Sequence, residues 1–281
     1  MDSTRSAPSS MPQPTAFHSD HRPADPAAEL VHLVRILDLQ ERLSGVQRLR
    51  DWALSAVAPR PGERAVDVGC GTGSEVARLA ALVGPSGTAI GVEPHPGLRA
   101  TAADRLAGIA SARLVDGAAE ALPFPDGSVD VLRCERVFQH LADPEAAVRE
   151  IARVLAAGGR TVLIDSDWET FVLTPGEAEV VARVMGAARR RMRQPTIGRR
   201  LRGLLVGAGL SVAEDVGASA VVFGTGSEGG IEFLELQIAA ARDEGVITSA
   251  EAEDLRSGVG AAVEAGTAFC AVTMFAVVAR R

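Results

Sequence analysis

Apolar positions along the chain change their period several times, and each change marks an element. Between Ala27 and Val57, Leu30, Leu33, Val34 and Leu37 recur at helical spacing, followed by Val46, Leu49, Trp52 and Ala53. This predicts two amphipathic helices separated at Gly45, closed by the turn "PRPG" at Pro59 to Gly62. Short apolar runs and helical stretches then alternate. "RAVDVG" reads as a strand and Ser74 to Val83 as a helix. "TAIGVE" (Thr88 to Glu93) is a second strand, with a helix near Leu98 to Ala107, and "ARLVDG" is a third. "VDVLRC" (Val129 to Cys134) is a fourth strand, "PEAAVREIARVLAAGG" a helix with a glycine stop, and "RTVLID" (Arg160 to Asp165) a fifth. Such alternation predicts a mostly parallel sheet with helices on both faces.

The rhythm changes after Asp165. Glu177 to Arg193 and Ile197 to Gly207 read as helices, and "SVAEDVGASAVVF" as a strand. Two further helices, "GGIEFLELQIAAARDEG" and "SAEAEDLRSGVGAAVEAG", precede a closing strand, "TAFCAVTMFAVVAR". Helices inserted between the last two strands are expected to lie over the carboxyl edge of the sheet, where open α/β folds bind ligands.

The first strand runs into "VDVGCGTG", in which Gly69, Gly71 and Gly73 alternate with Cys70 and Thr72, and Asp67 precedes them. A dinucleotide fingerprint has its third glycine one position later, where this chain has Ser74, and a phosphate loop requires a lysine. Asp67 would repel a pyrophosphate. The loop therefore fits a ligand with a cationic end and no phosphate, and an NAD-dependent dehydrogenase is a poor match. Glu93 ends the second strand, where an acid can accept both hydroxyls of a ribose.

Composition narrows the classes. The net charge is −7 and all 29 basic residues are arginines, which disfavours a general nucleic-acid binder. Lysine, asparagine and tyrosine are absent, so no Schiff-base lysine and no Asn-containing motif is available. No apolar run approaches the ~20 residues of a membrane helix. Residues 1–26 lack an apolar signal core and read as a disordered tail. The three cysteines, an odd number without metal-ligand spacing, predict a reducing cytoplasm and no metal site.

"VDVGCGTG", "GVEPHP" and "DGAAEALPFPDGSVDVLRCERVFQHLADPEAAVREIARVLAAGG" together resemble the class I S-adenosylmethionine (SAM)-dependent methyltransferases, particularly the small-molecule type related to quinone-biosynthesis enzymes. The resemblance covers about residues 59–165. It implies an α/β, Rossmann-like class I methyltransferase fold with a mostly parallel seven-stranded sheet, helices on both faces and a helical cap. A helical lid over 27–58, a SAM-binding core over 59–165 and an acceptor cap over 166–281 follow from it. SAM is the implied cofactor and a small molecule the implied partner, with a homodimer among the open oligomeric states.

By position, the resemblance places Asp67, Gly69, Cys70, Gly71 and Gly73 around the methionine end of SAM. Glu93 and Pro94 fall at the ribose, and Gly117, Ala118 and Ala119 at the adenine. Ala118 stands where the family has an Asp that bonds the adenine amino group, leaving backbone contacts there. Asp116 points to the other side of an extended segment. Cys134, Glu135 and Val137 form the wall between cofactor and acceptor, and Arg48, with Gln47 and Arg50, closes the lid. His140 is the candidate general base. Asp165 and Asp167 are candidates for binding or deprotonating the acceptor, with Trp168 as an aromatic wall. The expected activity is methyl transfer to O, N or C of a small molecule in bacterial specialised metabolism. The alternatives are a non-methylating cyclase on the same fold and a SAM-binding protein without turnover.

Overall fold

The computed structural model describes residues 25–223 and 228–281, with backbone only at 228–231. The predicted tail therefore lies, up to residue 24, outside the described residues. Two helices open the chain, α1 (Pro26–Glu41) and α2 (Ser44–Val57). Asp25 starts α1 by accepting the N–H groups of Ala27 and Ala28, with Pro26 in the first turn. The break falls at Arg42 and Leu43, not at Gly45. Gly45 lies inside α2 for a packing reason: a Cβ there would come within 2.4 Å of the Ala220 carbonyl oxygen.

The core then alternates as β1 (Arg64–Val68), α3 (Ser74–Val83), β2 (Thr88–Val92), α4 (Pro96–Arg105), β3 (Ala112–Val115) and β4 (Val129–Glu135). A single turn of 3₁₀ helix at Phe138–His140 precedes α5 (Pro144–Val154) and β5 (Leu155–Thr174). The helix expected to run to the glycine pair stops at Val154. Leu155 is instead fully buried and pairs with Val129, and Gly158 takes a left-handed turn at φ +76°. β5 also continues well past Asp165, because Val172 to Thr174 pair with the final strand. Then follow α6 (Ala178–Arg191), α7 (Ile197–Gly207), β6 (Ser211–Phe223), α8 (Glu228–Asp243), α9 (Ser249–Glu264) and β7 (Phe269–Arg280).

The seven strands form one sheet in the order β3-β2-β1-β4-β5-β7-β6. β1 to β5 are parallel, and β7 runs antiparallel between β5 and β6. On one face α5 and α7 bury Val148, Ile151, Leu201 and Leu205, and on the other α2 and α3 bury Leu49, Val57, Val76 and Leu79. A third, smaller core joins α6, α8 and α9 through Val184, Ile238 and Leu255. The order reverses between β1 and β4, and at that switch point an open α/β sheet leaves a crevice at its carboxyl edge. Among the described residues, no helix is long and apolar enough to cross a membrane.

Candidate active site

The crevice is a cavity of about 1190 Å³, roofed by α1 and reaching α8. That exceeds the about 300–1,000 Å³ of a pocket for one ligand. Its two ends differ in chemistry.

At one end lies the glycine loop. Gly69, Gly71 and Gly73 have φ of +70°, +54° and +88°, values that a side chain would strain. The N–H groups of Gly69 and Cys70 both donate to the Val92 carbonyl, at 2.8 and 3.1 Å, which folds the loop against β2. A Cβ on Gly69 would meet Val137 at 2.3 Å, so the loop and the turn after β4 touch. Gly73 does not line the cavity; a Cβ there would press on Ala102 and Leu106, so it serves the packing of α3 on α4. Glu93 lines the cavity, accepting Gly71 N–H at Oε2 and His95 N–H at Oε1, both at 2.9 Å. Burial raises its pKa to about 7 against the pull of those two hydrogen bonds. Pro94, Gly117, Ala118 and Ala119 complete this wall, while Asp116 is turned to solvent beside Arg99, at 3.1 Å.

Beneath the loop is a buried ion cluster that sequence reasoning missed. Arg133 reaches Asp67 at 2.8 Å, Glu135 at 2.5 Å and Glu75 at 3.6 Å. Arg50 makes a two-point bond to Glu135, at 2.8 and 2.9 Å, and Arg136 reaches the same carboxylate at 3.0 Å. Burial would raise Glu135, but these guanidiniums hold it far below the usual carboxylate range. Asp67 goes the other way, with burial raising it to about 6 despite Arg133. Its charge is thus answered inside the protein, so it is not an open partner for a cation. Arg133 was detectable: it is a charge in the middle of an apolar strand, two residues from Glu135 and therefore on the same face.

Of the three residues expected to close the lid, Gln47, Arg48 and Arg50, one lines the cavity. Arg48 is exposed on the far side of α2, whereas Arg50 is buried and lines the cavity. α1 contributes Leu30, Leu33, Ile36 and Leu37 to the roof. Polar tethers hold it down, from Asp38 to Arg105 at 2.7 Å and from Arg35 to Glu232 at 3.0 Å, with Gln40–Arg136 and Glu41–Ser74 contacts between them.

The other end of the cavity is mostly apolar, with Leu141, Met192, Phe223 and a stacked pair, Trp168 on Phe233, whose centroids lie 5.1 Å apart; the charged groups that line it, Arg193 and Glu232, are engaged with the His140 carbonyl and with Arg35. Val137 and His140 line it as well. Three proposed residues do not. Cys134 is fully buried in the core, where burial pushes its thiol well above the ordinary range. Asp165 is fully buried behind the wall, and Asp167 is held by Arg199 and by Glu169 N–H at 3.1 Å. The two acids lie on β5 just before its register against β7 shifts, between Asp167 and Val172, and neither lines the cavity.

The glycine cradle, the acid on the second strand and the charged floor fit SAM better than a phosphate-bearing cofactor. Residues 66–163 match the family model described as a methyltransferase domain. An uncharacterized 37.1 kDa transposon protein of Streptomyces fradiae is 31% identical over 248 residues, 88% of this chain and 71% of that protein. The 2-phytyl-1,4-naphthoquinone methyltransferase of Synechococcus elongatus is 36% identical over 135 residues, 46% of this chain and 57% of that enzyme. The chain thus spans little more than half of that named relative. Among solved structures, the YcgJ protein of Bacillus subtilis superposes with a TM-score of 0.58 at 22% identity, over 84% of this chain and 99% of that one. That likeness bears on the fold, and the fold is the strand order described above. With motif, topology and relatives in agreement, the chain belongs to the class I SAM-dependent methyltransferases, and SAM is its cofactor.

Proposed function

We propose that this protein methylates a small, uncharged and largely apolar acceptor. The observation that carries this is the contrast within one cavity between a charged end under the glycine loop and a mostly apolar end beneath α1 and α8, where the charged lining groups Arg193 and Glu232 are already engaged with the His140 carbonyl and Arg35. A charged acceptor at the apolar end would lose its hydration without a full set of partners, which is costly. An apolar one gains about 25 cal/mol per Å² removed from water.

When bound, SAM supplies the electrophilic methyl group on its sulfonium. The backbone at Gly69 to Gly71 would hold its methionine end, Glu93 its ribose, and the backbone of Gly117 to Ala119 its adenine. The chain's remaining work is alignment and exclusion of water, and alignment alone can supply up to ~7–11 kcal/mol of a barrier. α1 is placed to exclude water, since its apolar face closes the roof. For an acceptor that must lose a proton, His140 is the group we assign as general base, because it lines the apolar end while Asp165 and Asp167 do not. The cytoplasm is the compartment we favour, since all three cysteines are free. Arginine-only basic usage and the Streptomyces relative support a bacterial setting, for which we keep specialised metabolism as the reading.

Calorimetric titration with SAM, S-adenosylhomocysteine and NADH tests the cofactor half. Binding of the first two and not the third is the expected outcome; absence of binding by either sulfur ligand sinks the proposal. Mass spectrometry of acceptor candidates then separates methylation, which adds one methyl group, from a rearrangement that leaves the mass unchanged.

A further inference from the structure

Asp165, put forward above as a catalytic acid, has another task. It is fully buried, and its Oδ2 accepts the backbone N–H of Gln139 at 3.1 Å while Oδ1 accepts that of Ser166 at 2.8 Å. Gln139 lies in the 3₁₀ turn after β4. Its Oε1 accepts the indole N–H of Trp168 at 3.0 Å, and its Nε2 donates to the Arg136 carbonyl at 3.4 Å. The Gln139 carbonyl accepts Gln194 N–H at 3.3 Å, and Trp168 N–H donates to the Pro195 carbonyl at 2.9 Å. One residue, through its side-chain amide and its backbone together, therefore ties β5, the turn and the α6–α7 connection at the cavity wall. Trp168 projects from it to stack on Phe233, with an interplanar angle of 29°.

An indole in an apolar wall needs a partner for its N–H, and the position of that partner decides how the ring is turned. Gln139 is that partner. Its own place is fixed from behind by Asp165, an acid that reaches no ligand.

We propose that Gln139 is the positioning residue of the acceptor wall: by accepting the Trp168 indole N–H it sets the ring surface against which the acceptor is oriented. The proposal rests on the methyl-transfer reading only in calling the ligand an acceptor. Asp165 acts through Gln139 and takes no part in proton transfer.

Trp52, the second of two tryptophans, lines a separate cleft of about 460 Å³ between α2 and the strands β6 and β7. Trp52→Phe thus leaves Trp168 as the only tryptophan emitter. In that protein, with S-adenosylhomocysteine bound, 1,4-naphthoquinone is used as an uncharged planar probe. It is expected to quench Trp168 saturably. Gln139→Met weakens the probe about fivefold, the loss of one neutral hydrogen bond, with S-adenosylhomocysteine affinity unchanged within about twofold. Trp168→Phe, followed by calorimetry, gives a similar loss from the other side of the bond and leaves the Asp165 contacts in place. Adding Gln139→Met to it then changes nothing further. Unchanged probe affinity in Gln139→Met, additive losses in the double variant, or no saturable quenching in the parent overturns the proposal. A parallel loss of S-adenosylhomocysteine affinity does the same, because it marks Gln139 as a general structural residue. If the parent protein binds no S-adenosylhomocysteine, the methyl-transfer reading falls, while the probe titration without it still decides the role of Gln139.

Discussion

Removing the charge of Arg133 is the perturbation whose outcome follows most directly from the ion cluster. The side chain is 3% exposed and bridges three carboxylates, at 2.8 Å to Asp67, 2.5 Å to Glu135 and 3.6 Å to Glu75. Arg133→Met keeps much of the volume and removes the guanidinium. Glu135 then retains Arg50 and Arg136, and Glu75 retains Arg50 at 3.5 Å and Arg78 at 3.1 Å. Asp67 retains no guanidinium among the described residues. Leaving one partner of a buried pair uncompensated costs about 3–5 kcal/mol. At roughly 2–4 °C per kcal/mol for a domain of this size class, the thermal midpoint drops by about 6–20 °C.

The deficit should depend on pH, and the direction is fixed. Burial raises the Asp67 carboxyl to about 6 even with Arg133 present, and without that cation it rises further. The folded variant then binds a proton that the unfolded chain releases, so its stability falls more steeply as pH rises. Urea midpoints followed by far-ultraviolet circular dichroism at pH 5.5 and pH 8 measure this. The expected pattern is a larger deficit at pH 8, partly recovered in the Asp67→Asn, Arg133→Met double variant, which leaves no charge at 67. A deficit below about 1 kcal/mol at pH 8, or one equal at both pH values, would refute the reasoning.

Four further outcomes are expected. Burial raises Asp67, Glu93 and Asp165 to about 6, 7 and 7, so the stability they contribute is fully present only below the ordinary carboxylate range, about 4, and is lost as pH rises from there through 6 to 7. Scanning fluorimetry of the ligand-free protein should therefore show a falling midpoint from pH 5.5 to 8. Under the ribose role proposed for Glu93, which calls for its ionised form, SAM affinity should strengthen over the same range in calorimetry. Gly45→Ala gains at most ~1 kcal/mol of helix propensity but drives a Cβ to 2.4 Å from the Ala220 carbonyl oxygen, so a net loss of roughly 1–2 kcal/mol should appear in urea unfolding. Arg48→Ala should change stability by no more than about 0.5 kcal/mol, whereas Arg50→Met should cost about 1.5–3 kcal/mol by removing the two-point bond to Glu135, which keeps Arg133 and Arg136. Equal effects of the two arginine variants in the same denaturation assay would contradict the placement of α2.

The sheet was readable because its determinants are local. Apolar runs, each closed by glycine or an acid, placed β1 to β4 within two residues of their observed ends. The boundaries that slipped depend on contacts distant in sequence. Leu155 leaves the helical period to pair with Val129, and β5 lengthens only because Val172 meets Ala271. The cavity was legible in the same uneven way. Gly69, Gly71 and Glu93 occur in patterns with a physical reason, and they line it. Arg50 and Arg133 do not belong to any motif, since each is explained by a partner on another element, Glu135 or Asp67. Helical phase decided between Arg48 and Arg50, and phase over a two-residue difference is fixed by packing on β6, not by the local sequence.

The strand between β5 and β6 comes from residues 269–280, so that Thr273 N–H donates to Thr170, 103 positions away in sequence. The five parallel strands can assemble from neighbouring βα units, whereas the last two must wait for a long loop to close. β7 also supplies Val277 and Ala279 to one face of the core and Met274, Ala276 and Val278 to the other. Assembly of this chain is thus ordered in time. The half that carries the glycine loop can form early, with one sheet edge open at β5, an aggregation hazard until it is covered. The helices over the apolar end are threaded through the connections that β7 closes, so that end of the cavity is built last. Slow closure or destabilised β7 variants should therefore populate a species with a formed glycine-loop half and no apolar end.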